Sequence, residues 1–351
     1  MRNLTSLLFV TAVLGIYFAM NWYVLGRLFT FASLRRGPTF YLLVIFMTAS
    51  LIISIALRSQ LSGPAAATIY EILISWLGVC FVMLWILAAA QLLSYFLKIP
   101  LNWQAVGAIT ASAAIIFYAG YNARNLKLSY LTIPSKINLR IAQITDVHIG
   151  SVGLPYLKQI VKTTNSLKPD VVLIVGDLFD TAKAPAAAAV KILDEINAPV
   201  YFTSGNHEMY VGYKKVAGLF HGSKIKWLRN ETVDMGNWRL IGIDNSYSAR
   251  LLGKVMEKLT PSTMPTVLMN HQPIGFDIAS TAGVDLMLSG HTHYGQIMPF
   301  TFIVKLFYPH IAGLYEQHGS YLSVSTGAGI WGPRMRLGSS NEIVVLDLKK
   351  N

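Results

Sequence analysis

Along the first third of the chain, apolar residues run on without the polar gaps that a surface helix or a half-buried strand would show. Four such stretches lie at roughly 4–25, 39–57, 72–96 and 104–122. Each approaches or reaches the ~20 residues that an α-helix needs to cross ~30 Å of hydrocarbon. Turn and charge signals separate them: Arg35-Arg36-Gly37-Pro38, then Arg58 to Pro64, then Lys98-Ile99-Pro100. Trp22, Tyr23 and Trp103 fall near the expected ends, where amphipathic rings favour the interface. The first stretch lacks a small-residue cleavage signal and is followed by three more, so it reads as a retained helix. The pattern predicts an all-α transmembrane region of about four helices over residues 1–122.

From residue 123 the period changes. Leu139–Thr145 and Val171–Val175 read as strands, and 153–167 between them has helical spacing, which makes a β-α-β unit. An Ala-rich helix is expected at 184–196. Further strands fit Val200–Thr203, Arg239–Ile243, Thr266–Asn270, Leu286–Leu288, Tyr321–Val324 and Ile343–Leu348. Many strands and few helices after residue 200 predict a second sheet packed on the first, so 123–351 is expected to be a separate α/β domain.

Charge follows the same division. The chain has 351 residues, 53% hydrophobic and only 13% charged, with a net charge of +12. Residues 1–122 hold six Lys or Arg, the single acid Glu71 and no His; the remainder carries all eight His. Glu71 lies at the start of the third stretch, within reach of the head groups. Loops after the first and third stretches hold Arg27, Arg35, Arg36 and Lys98, against Arg2 and Arg58 on the other side. Counted over short loops, the positive-inside rule places both termini outside. Arg124 and Lys127 turn that count into a tie, and the expectation is an extracytoplasmic domain. The lone Cys80, in an apolar run, excludes a disulfide framework within the chain and points away from thiol chemistry. With no block of like charges, no specific nucleic-acid partner is expected; the partner expected from the apolar stretches is the lipid bilayer.

Polar clusters stand directly after predicted strands: Asp146-Val-His148, Gly176-Asp177, Gly205-Asn206-His207-Glu208, Asn270-His271 and Gly290-His291-Thr-His293. Strand ends are where α/β folds place their sites. Side chains at i and i+2 of an extended segment project to one side, so Asp146 with His148, and His291 with His293, can each serve one ion. Carboxylate, amide and imidazole without thiolate suit divalent Mn, Fe, Zn or Co. Seven candidate ligands exceed what one catalytic ion takes, and two ions sharing a carboxylate would use them all, a common solution for phosphoester hydrolysis.

The whole series resembles the calcineurin-like metallophosphoesterase superfamily over nearly all of 138–348. Gly290-His-Thr-His-Tyr-Gly-Gln296 and Gly327-Ala-Gly-Ile-Trp-Gly-Pro-Arg-Met-Arg-Leu-Gly338 are similar to its bacterial membrane-linked or exported branch, in which a multi-helix amino-terminal region commonly precedes the catalytic domain. The resemblance implies a four-layer α/β/β/α sandwich and a protein of the bacterial cell membrane. It also implies two divalent ions, the first held by Asp146, His148 and His293, the second by Asn206, His271 and His291, with Asp177 bridging. His207 matches the proton donor to the leaving oxygen, and Asp180 orients a ligand or its loop. Tyr294 stands where the branch often has Gly and could offer a phenol to the substrate. Arg334 and Arg336 could clamp a phosphate or form surface ion pairs, and Trp331 could stack on a base or sugar or serve in packing. His221, His310 and His318 match no ligand position.

The function expected is membrane-anchored hydrolysis of a phosphomonoester, phosphodiester or pyrophosphate, on a lipid-linked or envelope substrate. A non-catalytic scaffold or sensor that kept the fold is the alternative, and an intact ligand set argues against it. A transporter is disfavoured, because the four stretches show at most one charge and no broken-helix pattern.

Overall fold

The computed structural model describes residues 2–60, 64–182, 185–245, 248–259 and 263–350. Two compact units divide the chain. One reaches to Tyr121 and takes in Gly332–Met335; the other is formed by Asn122–Trp331 and the chain from Arg336 onward.

In the first unit, helices α1 (Arg2–Phe31), α2 (Pro38–Gln60), α3 (Pro64–Leu97) and α4 (Leu101–Asn122) account for the four apolar stretches. Pro38 and Pro64 open their helices, where a missing N–H costs no intrahelical bond. The turn expected from Arg58 to Pro64 lies partly outside the described residues. All four helices are long and apolar enough to cross a membrane, and at most 33% of each crossing window is buried. Their outward faces are therefore apolar, as contact with lipid requires. Inside, the buried Asn21 donates to Tyr17 O (2.8 Å) and accepts from Trp76 Nε1 (2.7 Å), tying α1 to α3.

The second unit runs β1 (Leu126–Ser135), β2 (Leu139–Ile144), α5 (Leu154–Ser166), β3 (Val171–Val175), α6 (Ala186–Leu193) and β4 (Val200–Thr203). Then follow α7 (Asn206–Val211), α8 (Tyr213–Leu219), β5 (Lys226–Trp227), β6 (Glu231–Asp234), β7 (Arg239–Gly242), α9 (Ala249–Leu259) and β8 (Thr266–Met269). The chain closes with α10 (Phe276–Thr281), β9 (Leu286–Ser289), α11 (Phe300–Phe307), β10 (Gly313–Gln317), β11 (Ser320–Val324) and β12 (Asn341–Lys350). Five helices, α7 to α11, follow residue 200 where few were expected; α7, α8 and α10 have only six or seven residues, too few to show a helical period.

Two six-stranded sheets form, ordered β1-β12-β2-β3-β4-β5 and β10-β11-β9-β8-β7-β6. Strand periodicity explains why they stack. Val172 and Ile174 of β3 pack under α5 and α6, while Val171, Leu173 and Val175 face the other way into a core shared with the second sheet. On β8, Val267 and Met269 enter that shared core and Leu268 packs beneath α9 and α10. Three apolar layers thus separate four layers of structure, the α/β/β/α sandwich. Strands buried on both faces read as continuous apolar runs, so each ends abruptly where its polar cluster begins.

Candidate metal centre

Loops after β2 and β3 of the first sheet carry Asp146, His148 and Asp177, and the first turn of α7, after β4, carries Asn206 and His207; loops after β8 and β9 of the second sheet carry His271, His291 and His293. Tight local geometry brings them together. Asp146, His148, Asp177, His291 and His293 all have φ between 48° and 71°. That left-handed region costs a non-glycine residue about 1–3 kcal/mol and persists only where the surroundings impose it. Two glycines make room: a Cβ at Gly205 would stand 2.1 Å from Asp177 Oδ1, and one at Gly290 2.2 Å from Asp146 Oδ2. Neither position can carry a side chain without displacing a carboxylate.

The ligand atoms fall into overlapping groups. Asp146, His148 and His293 converge within 4.8 Å, as do Asp177, His271 and His291, and a further set joins His148 and Asp177 to His207. His148 Nε2 lies 3.0 Å from His293 Nε2, and His271 Nε2 lies 3.1 Å from Asp177 Oδ2. The donor set fits divalent cations, because its own valences are unmet. Among the described residues, Asn206 Oδ1 is buried with no hydrogen-bond partner, and His271 Nε2 has only its ion-pair contacts with Asp177 and Asp146. Burial alone would lower the His271 pKa, but the Asp177 and Asp146 charges outweigh it and raise it to about 10. The pocket therefore draws a positive charge to that point. Burial likewise opposes ionisation of Asp177, yet His271 beside it holds the carboxyl well below its usual range.

The outer nitrogen of each ring is occupied. His148 Nδ1 lies 2.9 Å from Asp180 Oδ1, and His271 Nδ1 donates to Val175 O (2.8 Å). His291 Nε2 meets the Tyr308 hydroxyl at 2.8 Å. Such outer partners aim a ligand nitrogen inward and set its tautomer. Burial, and then the charge of His271, push His291 down to about 3, so it is a neutral imidazole ready to ligate. His293 is also held well below its usual pKa, by burial and then by the Arg336 guanidinium.

His207 differs. Its Nδ1 lies 2.8 Å from Asp180 Oδ1, its Nε2 4.0 Å from Asp177 Oδ2, and its side chain keeps 15% exposure. Burial lowers its pKa, but the Asp180 hydrogen bond and the charges of Asp177, Asp180 and Glu208 raise it to about 9. At neutral pH the ring is protonated and can donate. Tyr210 and the exposed Trp331 flank it, with ring centroids at 5.6 and 6.1 Å.

Three expected substrate contacts are placed differently from one another. Tyr294 is half-buried beside His293, with φ of 54°. Arg334 ion-pairs with Glu71 within the first unit. Arg336, expected as a phosphate clamp or surface pair, is 0% exposed. It donates to His293 O (3.0 Å), Thr326 O (2.8 Å), Gly329 O (2.6 Å) and Asn341 Oδ1 (2.9 Å), and lies 3.0 Å from His293 Nδ1. Backbone carbonyls and Asn341 satisfy the guanidinium, which leaves none of it for substrate. His221, His310 and His318 belong to no ligand group among the described residues.

Two residues without an assigned role matter here. Glu208 is buried and accepts from the N–H groups of Asp177 (3.0 Å), Leu178 (2.9 Å), Phe179 (2.9 Å) and Gly205 (2.7 Å), locking the β3 and β4 loops together. An acid at the third position of a helix, reaching back to the residue before it, is a readable capping signal. Tyr308 has no such signal.

Comparison with known proteins agrees with this geometry. The sequence model of the calcineurin-like phosphoesterase family matches residues 139–295. An uncharacterised metallophosphoesterase of Campylobacter jejuni is 34% identical over 68% of this chain and 67% of its own length. A transmembrane protein with metallophosphoesterase domain from Bos taurus is 34% identical over 62% of this chain and 54% of its own. An uncharacterised metallophosphoesterase of Aquifex aeolicus is 30% identical over 62% of this chain and 87% of its own. The chain spans between about half and two thirds of the first two of these relatives.

Proposed function

Because the chain belongs to the calcineurin-like metallophosphoesterase family of metal-dependent hydrolases, we propose that it cleaves a phosphomonoester, phosphodiester or pyrophosphate at two divalent ions while anchored in a membrane by its four apolar helices. The observation that carries this reading is the buried, partnerless Asn206 Oδ1 beside the carboxylates and imidazoles of two ligand groups. Asp146, His148 and His293 would hold one ion, Asn206, His271 and His291 the other, and Asp177 would bridge them. Mn, Fe, Zn or Co suits this set. Bound there, the ions would supply Lewis-acid stabilisation of phosphoryl charge and a water nucleophile active near neutral pH.

The protein's own part is proton management and positioning. Asp180 accepts from His207 Nδ1, which turns Nε2 and its proton toward the ligand groups. Transfer of that proton to the leaving oxygen is worth about 10²–10⁴-fold. Asp180 also serves His148, so one carboxylate fixes a ligand and the acid together. The anchor supports a lipid-linked or envelope phosphate ester as the substrate, and the loop charges support a site outside the cytoplasm of a bacterial cell.

Full-length protein in detergent, stripped by chelator and reloaded with Mn²⁺, tests the reaction on nitrophenyl phosphodiester and phosphomonoester. Hydrolysis that needs the metal supports the proposal. Folded protein that binds metal and cleaves no phosphate ester would instead favour a scaffold or sensor. Reporter fusions at the carboxyl terminus test sidedness, and a cytoplasmic signal would overturn that part.

A further inference from the structure

Helix α11 is inside out for a helix in water. Its buried residue is polar: Thr301 is 2% exposed, and its hydroxyl donates to Tyr294 O (2.8 Å). Its apolar residues point away from the fold, with Phe302 at 59%, Leu306 at 81% and Phe307 at 74% exposure, joined by Phe300, Ile303 and the preceding Met298. Single exposed apolar residues are ordinary. Six within ten residues on a short helix make a continuous patch of the kind that marks a docking surface.

Hydrogen bonds within the catalytic unit indicate what covers it. Asn122, the last residue of α4, donates from Nδ2 to Arg336 O (3.0 Å) and Ser339 O (2.8 Å). The same segment also holds the lead-in to α11: Met298 N donates to Leu337 O (2.8 Å) and Ser339 Oγ to Gln296 O (2.9 Å). Asn122, which closes α4, and the lead-in to α11 thus bond to one stretch of backbone, Arg336–Ser339. Arg124 and Lys305, both exposed, add positive charge to these two segments, as anionic head groups favour.

We propose that α11 is an interfacial helix whose apolar face enters the head-group and acyl boundary of a phospholipid bilayer, so that the mouth of the catalytic site draws its phosphate ester from the head group of a membrane lipid. The substrate part rests on the phosphoesterase reading; the insertion does not. Both ends of α11 bear on candidate ligands, through Thr301 to Tyr294 beside His293 and through the Tyr308 hydroxyl to His291. Insertion at that depth fixes the site relative to the lipid surface. Lys305 can keep its ammonium in the head-group layer while its stem lies along the apolar face.

The test uses the full chain in single-copy nanodiscs, in a Cys80→Ala background, with a fluorophore on Leu306→Cys and, as control, on the exposed Ser166→Cys. Lipids brominated on the acyl chain should quench the Leu306→Cys label and aqueous iodide should not, with the reverse at Ser166→Cys. A Leu306→Cys label quenched by iodide and untouched by bromolipid overturns the proposal. Shielding that appears only when several copies share a vesicle assigns the face to a second copy and overturns it equally. For the substrate part, Leu306→Glu/Phe307→Glu should cut turnover of a phosphate ester embedded in vesicles by about tenfold or more and leave a soluble nitrophenyl ester unchanged. Equal loss on both esters sinks the lipid-surface role. If wild type cleaves neither ester, the phosphoesterase reading fails, and the quenching result still decides where α11 lies.

Discussion

The two sheets bring different chemistry to the same centre. The first sheet's strand ends supply both carboxylates, the amide, the imidazole of His148 and the candidate proton donor His207, and they are braced by further acids: Asp180 under His148 and His207, Glu208 under the backbone of Asp177. Loops of the second sheet supply only imidazoles, braced by a carbonyl, a phenol and a guanidinium. Histidine is therefore used in two ways. Against acids, His207 is raised to about 9 and carries a proton; against neutral or cationic partners, His291 falls to about 3 and offers a lone pair. Despite its burial, His271, from the second sheet, is raised to about 10 by Asp177 and Asp146, so each ring follows its own neighbours and not the sheet that carries it.

The sharpest break in that comparison is Asp177→Asn, which removes the carboxylate shared by the His148–His207 and His271–His291 groups. Bound metal per chain should fall, and hydrolysis should drop to background, read by elemental analysis beside the nitrophenyl assay. His207→Ala should keep its metal and lose about 10²–10⁴-fold in turnover. Equal metal loss in both variants would show that His207 is a ligand, as its place in the His148 and Asp177 group allows.

Much of this centre is legible in the chain alone, because strands buried on both faces leave polar residues conspicuous where they end. Val171–Val175 before Gly176-Asp177 and Leu286–Ser289 before Gly290-His291 are the clearest cases. The bracing groups are not legible. Tyr308 lies 17 residues beyond His291 and meets it only because α11 folds back. Arg336 reads as a surface cation, since the carbonyls that accept from it have no residue-type signature. Strand β1 shows no clean alternation, being partly exposed along most of its length at the edge of its sheet, and escapes a periodicity search. Helix α9 carries Leu252 and Met256 four residues apart, a buried stripe that spacing could have revealed.

Smaller changes at the bracing groups sharpen the contrast. Asp180→Asn should reduce turnover about 10–100-fold, the usual cost of losing an outer partner of a metal site. It should also move the pH profile. His207 donates only while protonated, so wild-type activity falls as pH rises through about 9. Loss of the Asp180 charge and hydrogen bond lowers that pKa and brings the fall to lower pH. Arg336→Lys acts on the second-sheet side instead, where the partner of His293 is a donor. Metal affinity should weaken about tenfold by calorimetry, with the alkaline limb unmoved. A shifted limb in Arg336→Lys would erase the distinction between the two sides.

Tyr308→Phe is the mildest variant and the most specific. It deletes one hydroxyl at 2.8 Å from His291 Nε2 and leaves the ring, whose centroid is 5.3 Å from that of His291, to keep the packing. A hydrogen bond of this kind contributes about 1 kcal/mol, or roughly fivefold in an equilibrium. His291 is neutral at working pH, so the loss should appear as weaker binding of one ion of the two, with no new titration in the rate profile. Calorimetry that resolves two metal sites should show one weakened and the other unchanged. Loss spread evenly over both sites would mean that Tyr308 supports the fold of the β9 loop as a whole, and that the second sheet orients its imidazoles collectively.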